Sequence, residues 1–156
     1  MLKSHFSMIV TVVLALIMGI VMSVAAILID HLPFHICNLY KICGMVVLNV
    51  IVISLFVPYQ KWSEMLCSRL GLQKETIPYT LVSNLIPTLI FNTANTLFIS
   101  GANIFFNDMI PKEAQLGAWL GGIVKDWPVM FVISFAAALI AGKIGVSTAQ
   151  KVLRET

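Results

Sequence analysis

The sequence predicts an all-α integral membrane protein, built as a four-helix bundle. Of its 156 residues, 59% are apolar and only 11% are charged, which lies far outside the usual composition of soluble domains. A membrane-spanning helix needs about 20 apolar residues, so four spans with short connections take up nearly the whole chain. No soluble catalytic domain fits beside them.

Four apolar runs follow one another along the chain. They lie at about Met8–Ile29, Ile42–Tyr59, Tyr79–Phe106 and Trp127–Gly142, and the last extends toward Val146. The first run resembles a signal peptide in its position, but its apolar core is longer than a typical secretory h-region and no convincing small-residue cleavage site precedes Asp30. We therefore interpret it as a retained span.

The basic residues indicate the orientation in the membrane. With four spans, both chain ends and the 60–78 loop share one side, which holds seven of the ten Lys and Arg residues, while Lys41, Lys112 and Lys125 lie on the other. The positive-inside rule then predicts that both termini lie in the cytoplasm. Because the basic residues form no patch with interleaved aromatics, no nucleic-acid partner is expected.

Aromatic side chains are expected at both membrane interfaces. The inner set is Tyr59, Trp62 and Tyr79, and the outer set is Tyr40, Trp119 and Trp127. Within the inner loop, Trp62, Met65, Leu66 and Leu70 share one helical face. This spacing predicts a short interfacial helix.

Two short matches predict an internal duplication. The segment ILIDHLP (27–33) aligns with FFNDMIP (105–111), which pairs Asp30 with Asp108, and VISLF (52–56) aligns with VISFA (132–136). The chain is therefore expected to consist of two helical hairpins, at 1–78 and 79–156. Since each hairpin contains two spans, the copies share one orientation and are related by an axis along the membrane normal.

The second hairpin has an Asn- and Ser-rich first helix, an outer loop ending in Trp119, and the segment DWPVMF (126–131) leading into its last helix. In these features it resembles a family of small bacterial two-helix membrane proteins known only as a domain of unknown function. The resemblance covers 85–153 and, more weakly, 8–70, where Trp127 and Pro128 have no counterpart. It implies a tandem bacterial membrane fold and no particular chemistry.

The segment FNTANTLFISGANIFFND (91–108) carries amides and hydroxyls within an apolar run. At about 100° per residue, its polar side chains form one stripe. The stripe consists of Asn92, Asn95, Thr96, Ser100, Asn103 and Asn107. Unsatisfied amides are costly in hydrocarbon, so the stripe is expected to face other helices, through interhelical hydrogen bonds, or to line a polar path or small-solute site.

The first span offers a packing partner for this polar stripe. Small residues recur along one face at Ala15, Gly19, Ser23 and Ala26. Such a small-residue seam permits close approach of two helix backbones. We expect the polar stripe to pack against it.

Ionisable residues gather near the outer side. Asp30 and Asp108 are equivalent in the proposed repeat, and with His31 and His35 they have the chemistry to bind a divalent cation. Carboxylates that end a helix in a solvated turn are the more ordinary interpretation, and we assign no metal. Asp126 is expected near the N-terminus of the fourth span, where the helix dipole favours it.

No catalytic motif is present in the sequence: there is no GxSxG, HExxH, P-loop or GxGxxG. We expect neither an enzyme nor a cofactor, and the partners we expect are the lipid bilayer and either a second copy or another membrane protein. The favoured hypothesis is a helix bundle that self-associates or binds a membrane partner through the polar stripe. The alternative is an oligomeric transporter or channel for a small polar solute or ion. The three cysteines have neither CxxC nor zinc-type spacing, and the oxidation state of Cys37 and Cys43 stays open.

Reporter fusions test the topology. Alkaline phosphatase fused to either end should be inactive, and green fluorescent protein fused to either end should fluoresce, because an even number of spans places both ends together and the basic residues favour the cytoplasmic side. Phosphatase activity at either terminus would contradict this orientation.

Overall fold

The computed structural model describes residues 2–29 and 33–154, and within these ranges the chain forms five helices and no strand. They are α1 (Leu2–Ile29), α2 (Ile36–Phe56), α3 (Tyr59–Arg69), α4 (Ile77–Phe105) and α5 (Lys112–Arg154). The all-α class predicted from composition is therefore observed.

Four of the five helices, α1, α2, α4 and α5, are long and apolar enough to cross a membrane. The most apolar segment lies in α1, at Met8–Ile29, with a mean hydropathy of 3.0, whereas α4 reaches only 1.2 because of its amides and hydroxyls. Their outer surfaces expose large apolar side chains such as Leu16, Ile20, Leu55 and Phe56. Contiguous apolar surface of this kind is typical of a lipid-facing protein. The structure thus supports a multi-pass membrane protein.

The spans form a ring in which α1 packs on α2 and α5, and α4 packs on the same two helices. The core lies at the centre of this ring. Its largest buried side chains include Met18, Met22 and Ile27 from α1, Val46 and Val50 from α2, and Phe91 from α4. The ring brings one face of α4 against both α2 and α5, which positions the polar stripe.

The small-residue seam of α1 is buried along its whole length. At Gly19 an added Cβ would lie 2.7 Å from Val47 Cγ2 and 3.1 Å from Cys43 Sγ, so the close approach is made to α2. The Ser23 hydroxyl donates to the Gly19 carbonyl, which satisfies it within α1. The seam therefore packs on α2 at this point, whereas we expected it to pack on the polar stripe of α4.

Helix α5 is longer than the fourth apolar run. It begins at Lys112, so the predicted outer loop before Trp127 is helical, and Pro128 lies inside the helix, away from its start. Its 43 residues correspond to about 65 Å at 1.5 Å per residue, twice the roughly 30 Å of bilayer hydrocarbon. The helix must therefore extend beyond the membrane. The expected dipole stabilisation of Asp126 was wrong, since that residue lies well inside α5.

The predicted helix of the inner loop is present as α3. It buries Ser63 and Cys67 against α4, and exposes Trp62, Met65 and Leu70. These exposed apolar side chains suit the membrane interface predicted from their spacing.

Replacing Gly19 by Ala tests the close packing of α1 on α2. Gly44→Ala is the matched control, because its Cβ would meet no atom within 4 Å and both changes gain the same intrinsic helix propensity. Gly19→Ala should be less stable than Gly44→Ala by about 1–3 kcal/mol, the usual cost of overpacking, measured by denaturant unfolding in mild detergent. Equal stability of the two variants would show that the interface yields without cost.

Candidate functional site

The inner half of the polar stripe is buried within the bundle. Asn92 and Asn95 are 0% and 1% exposed. The Asn92 side-chain amide donates to the Trp127 carbonyl of α5 at 3.1 Å, and the Asn49 amide of α2 donates to Asn95 Oδ1 at 3.1 Å. The stripe therefore hydrogen-bonds to two neighbouring helices of the same chain.

Two tryptophans that were predicted for the outer interface donate hydrogen bonds to α4. Trp127 Nε1 donates to Thr93 Oγ1 at 3.0 Å, and Trp119 Nε1 donates to the Leu97 carbonyl at 3.2 Å. Trp119 also packs edge-on against Phe105, with ring centroids 5.5 Å apart. An indole N–H that leaves water requires an acceptor, and α4 supplies one in each case. These bonds hold α5 against α4 along the polar stripe.

The outer half of the polar stripe lines a cavity. Ser100, Asn103 and Asn107 are half-buried, and they face an open space of about 410 Å³. The cavity lies among the end of α1, the start of α2, the second half of α4 and the middle of α5. Its other polar lining residues are Asn38, Lys41, Asn95, Thr96, Lys125 and Asp126, and its apolar ones include Ala26, Ile42, Ile99 and Met130. Its volume lies within the range of small-molecule sites.

Three charged side chains in the cavity wall have no partner among the residues that the structure describes. Lys41 and Lys125 are exposed, Asp126 is half-buried, and within the described residues none of the three forms a hydrogen bond or an ion pair. The Asp126 Oδ1 atom is nevertheless shielded from water. A shielded carboxylate oxygen without a donor is costly, so this position favours a cationic or hydrogen-bond-donating ligand.

A row of buried polar atoms on α4 also lacks partners. These atoms are Thr88 Oγ1, Asn92 Oδ1, Asn95 Nδ2 and Thr96 Oγ1. An unsatisfied buried group costs about 1–3 kcal/mol, so four of them on one helix face represent a substantial loss of stability. Asn95 and Thr96 belong to the cavity wall, which means that the row begins at the cavity and continues inward along α4.

The predicted outer carboxylates and the three cysteines do not form a site in the described part of the chain. Asp30 lies outside the described residues, and Asp108 is exposed and does not line the cavity. Within the described ranges, no three His, Cys, Asp or Glu side chains are grouped to hold a metal. Cys37 is exposed, Cys43 is half-buried and Cys67 is buried, and all three thiols are free.

Sequence reasoning missed the contribution of α2 to the site. Asn38 and Lys41 lie three residues apart at the start of α2, and this spacing places them on one helix face. The sequence therefore showed that Asn38 and Lys41 share a helix face. It did not show that this face meets α4 and α5, because the cavity forms only when α2 and α5 pack beside α4.

Comparison with known proteins gives no relative: no family, no curated protein and no solved structure matches the chain. The site must therefore be interpreted from its own chemistry.

A double-mutant cycle tests the buried amide pair. Asn49→Leu should lower the free energy of unfolding by about 0.6–2 kcal/mol, because it leaves both atoms of the buried Asn95 amide without a partner. Adding Asn95→Leu should recover part of the loss by removing the orphaned amide. Unfolding in mild detergent gives both values.

Asn103→Leu is the control for this cycle. Asn103 is half-buried in the cavity wall, so this change should alter the stability little. A loss equal to that of Asn49→Leu would contradict the division of the polar stripe into a packed inner half and an open outer half.

Proposed function

We propose that this protein is a multi-pass bacterial inner-membrane protein that binds a small polar solute in its outer cavity, as one step of transport across the membrane. The observation that carries the proposal is the composition of the cavity wall. It combines unpaired charges at Lys41, Lys125 and Asp126 with unpartnered buried atoms of Asn95 and Thr96. A polar solute would supply the missing partners.

Energetics favour a binding role over a purely structural one. If the polar stripe served only to pack helices, its buried atoms would pair with one another, as Asn49 and Asn95 do in part. Groups that stay unpaired at a cost to stability are typical of functional sites. A bound solute that hydrogen-bonds to them would offset this cost.

Features of α4 below the cavity support a transport step. The unpartnered atoms of Thr88 and Asn92 continue the polar face inward from the cavity. Pro87 lies inside the same helix and cannot donate to the Ser83 carbonyl, which weakens the helix locally. We propose that α4 bends here to pass the solute along its polar face. The cavity lies within one chain, so binding itself requires no second copy.

The second hypothesis is a helix bundle whose role is self-association or binding of a membrane partner. An apolar groove of about 390 Å³ between α2 and the α4–α5 pair favours it, with Leu48, Phe98 and Phe106 in its wall. The polar stripe supports this hypothesis less, because the hydrogen bonds of Asn92 and Asn95 are made within the chain. Native mass spectrometry of the protein in lipid nanodiscs would separate a monomer from an assembly.

We also propose the tandem arrangement predicted from sequence, including membership of the small two-helix family. In the ring, α1 packs against α5 and α2 packs against α4. A two-fold axis along the membrane normal would exchange α1 with α4 and α2 with α5, and it would therefore turn each of these contacts into the other. With both termini in the cytoplasm, the cavity would open to the periplasmic side.

Cysteine labelling tests whether the cavity is wet. In a variant whose three native cysteines are replaced by Ala, Asn103→Cys and Asn107→Cys should react with a membrane-impermeant maleimide added from the periplasmic side. Phe98→Cys is the matched control, because Phe98 is 61% exposed on another face of α4 and is expected to contact lipid. We expect Phe98→Cys to be protected from the reagent, and Asn92→Cys to be protected too because Asn92 is buried.

Equal protection of Asn103→Cys and Phe98→Cys would show that water does not enter the cavity. That result would overturn the solute site and leave helix packing as the role of the whole polar stripe.

A further inference from the structure

The unpaired charges of the cavity indicate a chemical class for its solute. We propose that the cavity binds a zwitterion of the amino-acid class, with its ammonium group at Asp126 and its carboxylate at Lys41 and Lys125. This inference rests on the proposed solute-binding function and names the substrate class of the same site.

Asp126 specifies the cationic end. Its Oδ1 atom is shielded from water and accepts no hydrogen bond within the described part of the chain. A shielded carboxylate is stabilised by an opposite charge that also donates a hydrogen bond. A primary ammonium group satisfies both requirements. A quaternary ammonium has no N–H to donate and fits this position less well.

Lys41 and Lys125 specify the anionic end. Both are exposed members of the cavity wall, one from α2 and one from α5. A carboxylate placed between two free lysines gains two charge-assisted hydrogen bonds. The amide nitrogen of Asn95 is an unpartnered donor in the same wall.

The apolar part of the wall accommodates an aliphatic side chain. Ile42, Ile99 and Met130 are each less than one-tenth exposed and lie in the cavity wall. Contact with them favours an apolar group at about 25 cal/mol per Å² of surface removed from water. The cavity wall therefore combines charges of both signs with apolar side chains, which matches a molecule with two opposite charges and a small hydrocarbon group.

Other solute classes fit this wall less well. A metal ion would find few ligands, because the described part of the wall contains a single carboxylate and no thiol or imidazole. A phosphate would gain from the lysines and be repelled by Asp126. A neutral sugar would pair with the amides of Asn103 and Asn107 and leave all three charges uncompensated.

A matched set of ligands tests the inference on the full chain in lipid nanodiscs. Alanine, serine and leucine are the zwitterions, the corresponding amino-acid amides keep the ammonium only, and propionate, 3-hydroxypropionate and 4-methylpentanoate keep the carboxylate only. We expect at least one zwitterion to raise the melting temperature and to bind, by isothermal titration, about tenfold or more tightly than both of its truncated partners.

Two variants assign the ends of the solute. Asp126→Asn should weaken zwitterion binding about tenfold or more. The zwitterion should then bind no more tightly than the carboxylate-only ligand. Lys41→Gln combined with Lys125→Gln should abolish the preference over the amide. Glu113→Gln is the control, because Glu113 is an exposed carboxylate of α5 outside the cavity wall, and it should bind like the unchanged protein.

The possible outcomes separate this inference from the proposed function. Glycerol, glucose and phosphate are included as further probes. If one of them binds and protects Asn103→Cys from labelling while no amino acid does, the cavity is a solute site and the zwitterion assignment is wrong. If an amide binds as tightly as its amino acid, the site takes a cation and the assignment is again wrong. If nothing binds and Asn103→Cys is not labelled, both proposals are overturned.

Discussion

The hydrocarbon of a bilayer offers no hydrogen-bond partners, so the polar side chains of α4 are favoured inside the bundle or at its cavity and disfavoured against lipid. This constraint determines how the other helices lie. Asn92 and Asn95 are oriented toward α5 and α2, where a backbone carbonyl and a second amide meet them. The opposite face of α4 exposes Leu97, Phe98 and Phe105, which suit lipid. The ring of four spans is the arrangement that covers the amides on both sides.

The length of α5 gives the site its outer wall. Because the helix continues through the segment before Trp127, it places Trp119, Gly122, Lys125 and Asp126 beside the second half of α4. The indole bonds of Trp119 to the Leu97 carbonyl and of Trp127 to Thr93 hold the two helices together beside the polar stripe. At Gly122 an added Cβ would lie 3.3 Å from Ser100 Oγ, so the absent side chain leaves room at the cavity. A loop in place of this helix would leave the polar stripe open to the solvent.

The polar groups are therefore divided between helix packing and the cavity wall. Those near the middle of α4 make bonds to neighbouring helices, whereas those toward its end surround an open space with three charges that are unpaired within the described residues. A protein selected only for a stable bundle would pair or remove these groups. Keeping Asp126 Oδ1 and Asn95 Nδ2 buried without partners lowers stability, and in the proposed function these atoms provide contacts for a solute.

The sequence by itself determined the membrane class, the four spans and the inner-loop helix, because these depend on local composition and on the spacing of apolar residues along the chain. The polar stripe was likewise readable from the period of the helix. Only the tertiary structure decided that Gly19 packs on α2, that Trp119 and Trp127 bond to α4, and that Lys41 of α2 and Asp126 of α5 line one cavity. The continuous α5 was also not readable, since Gly117, Gly121 and Pro128 disfavour a helix locally while the packing of Trp119 and Trp127 against α4 compensates. Contacts between distant segments depend on how helices are rotated and offset against one another, and the local pattern of residues does not specify this.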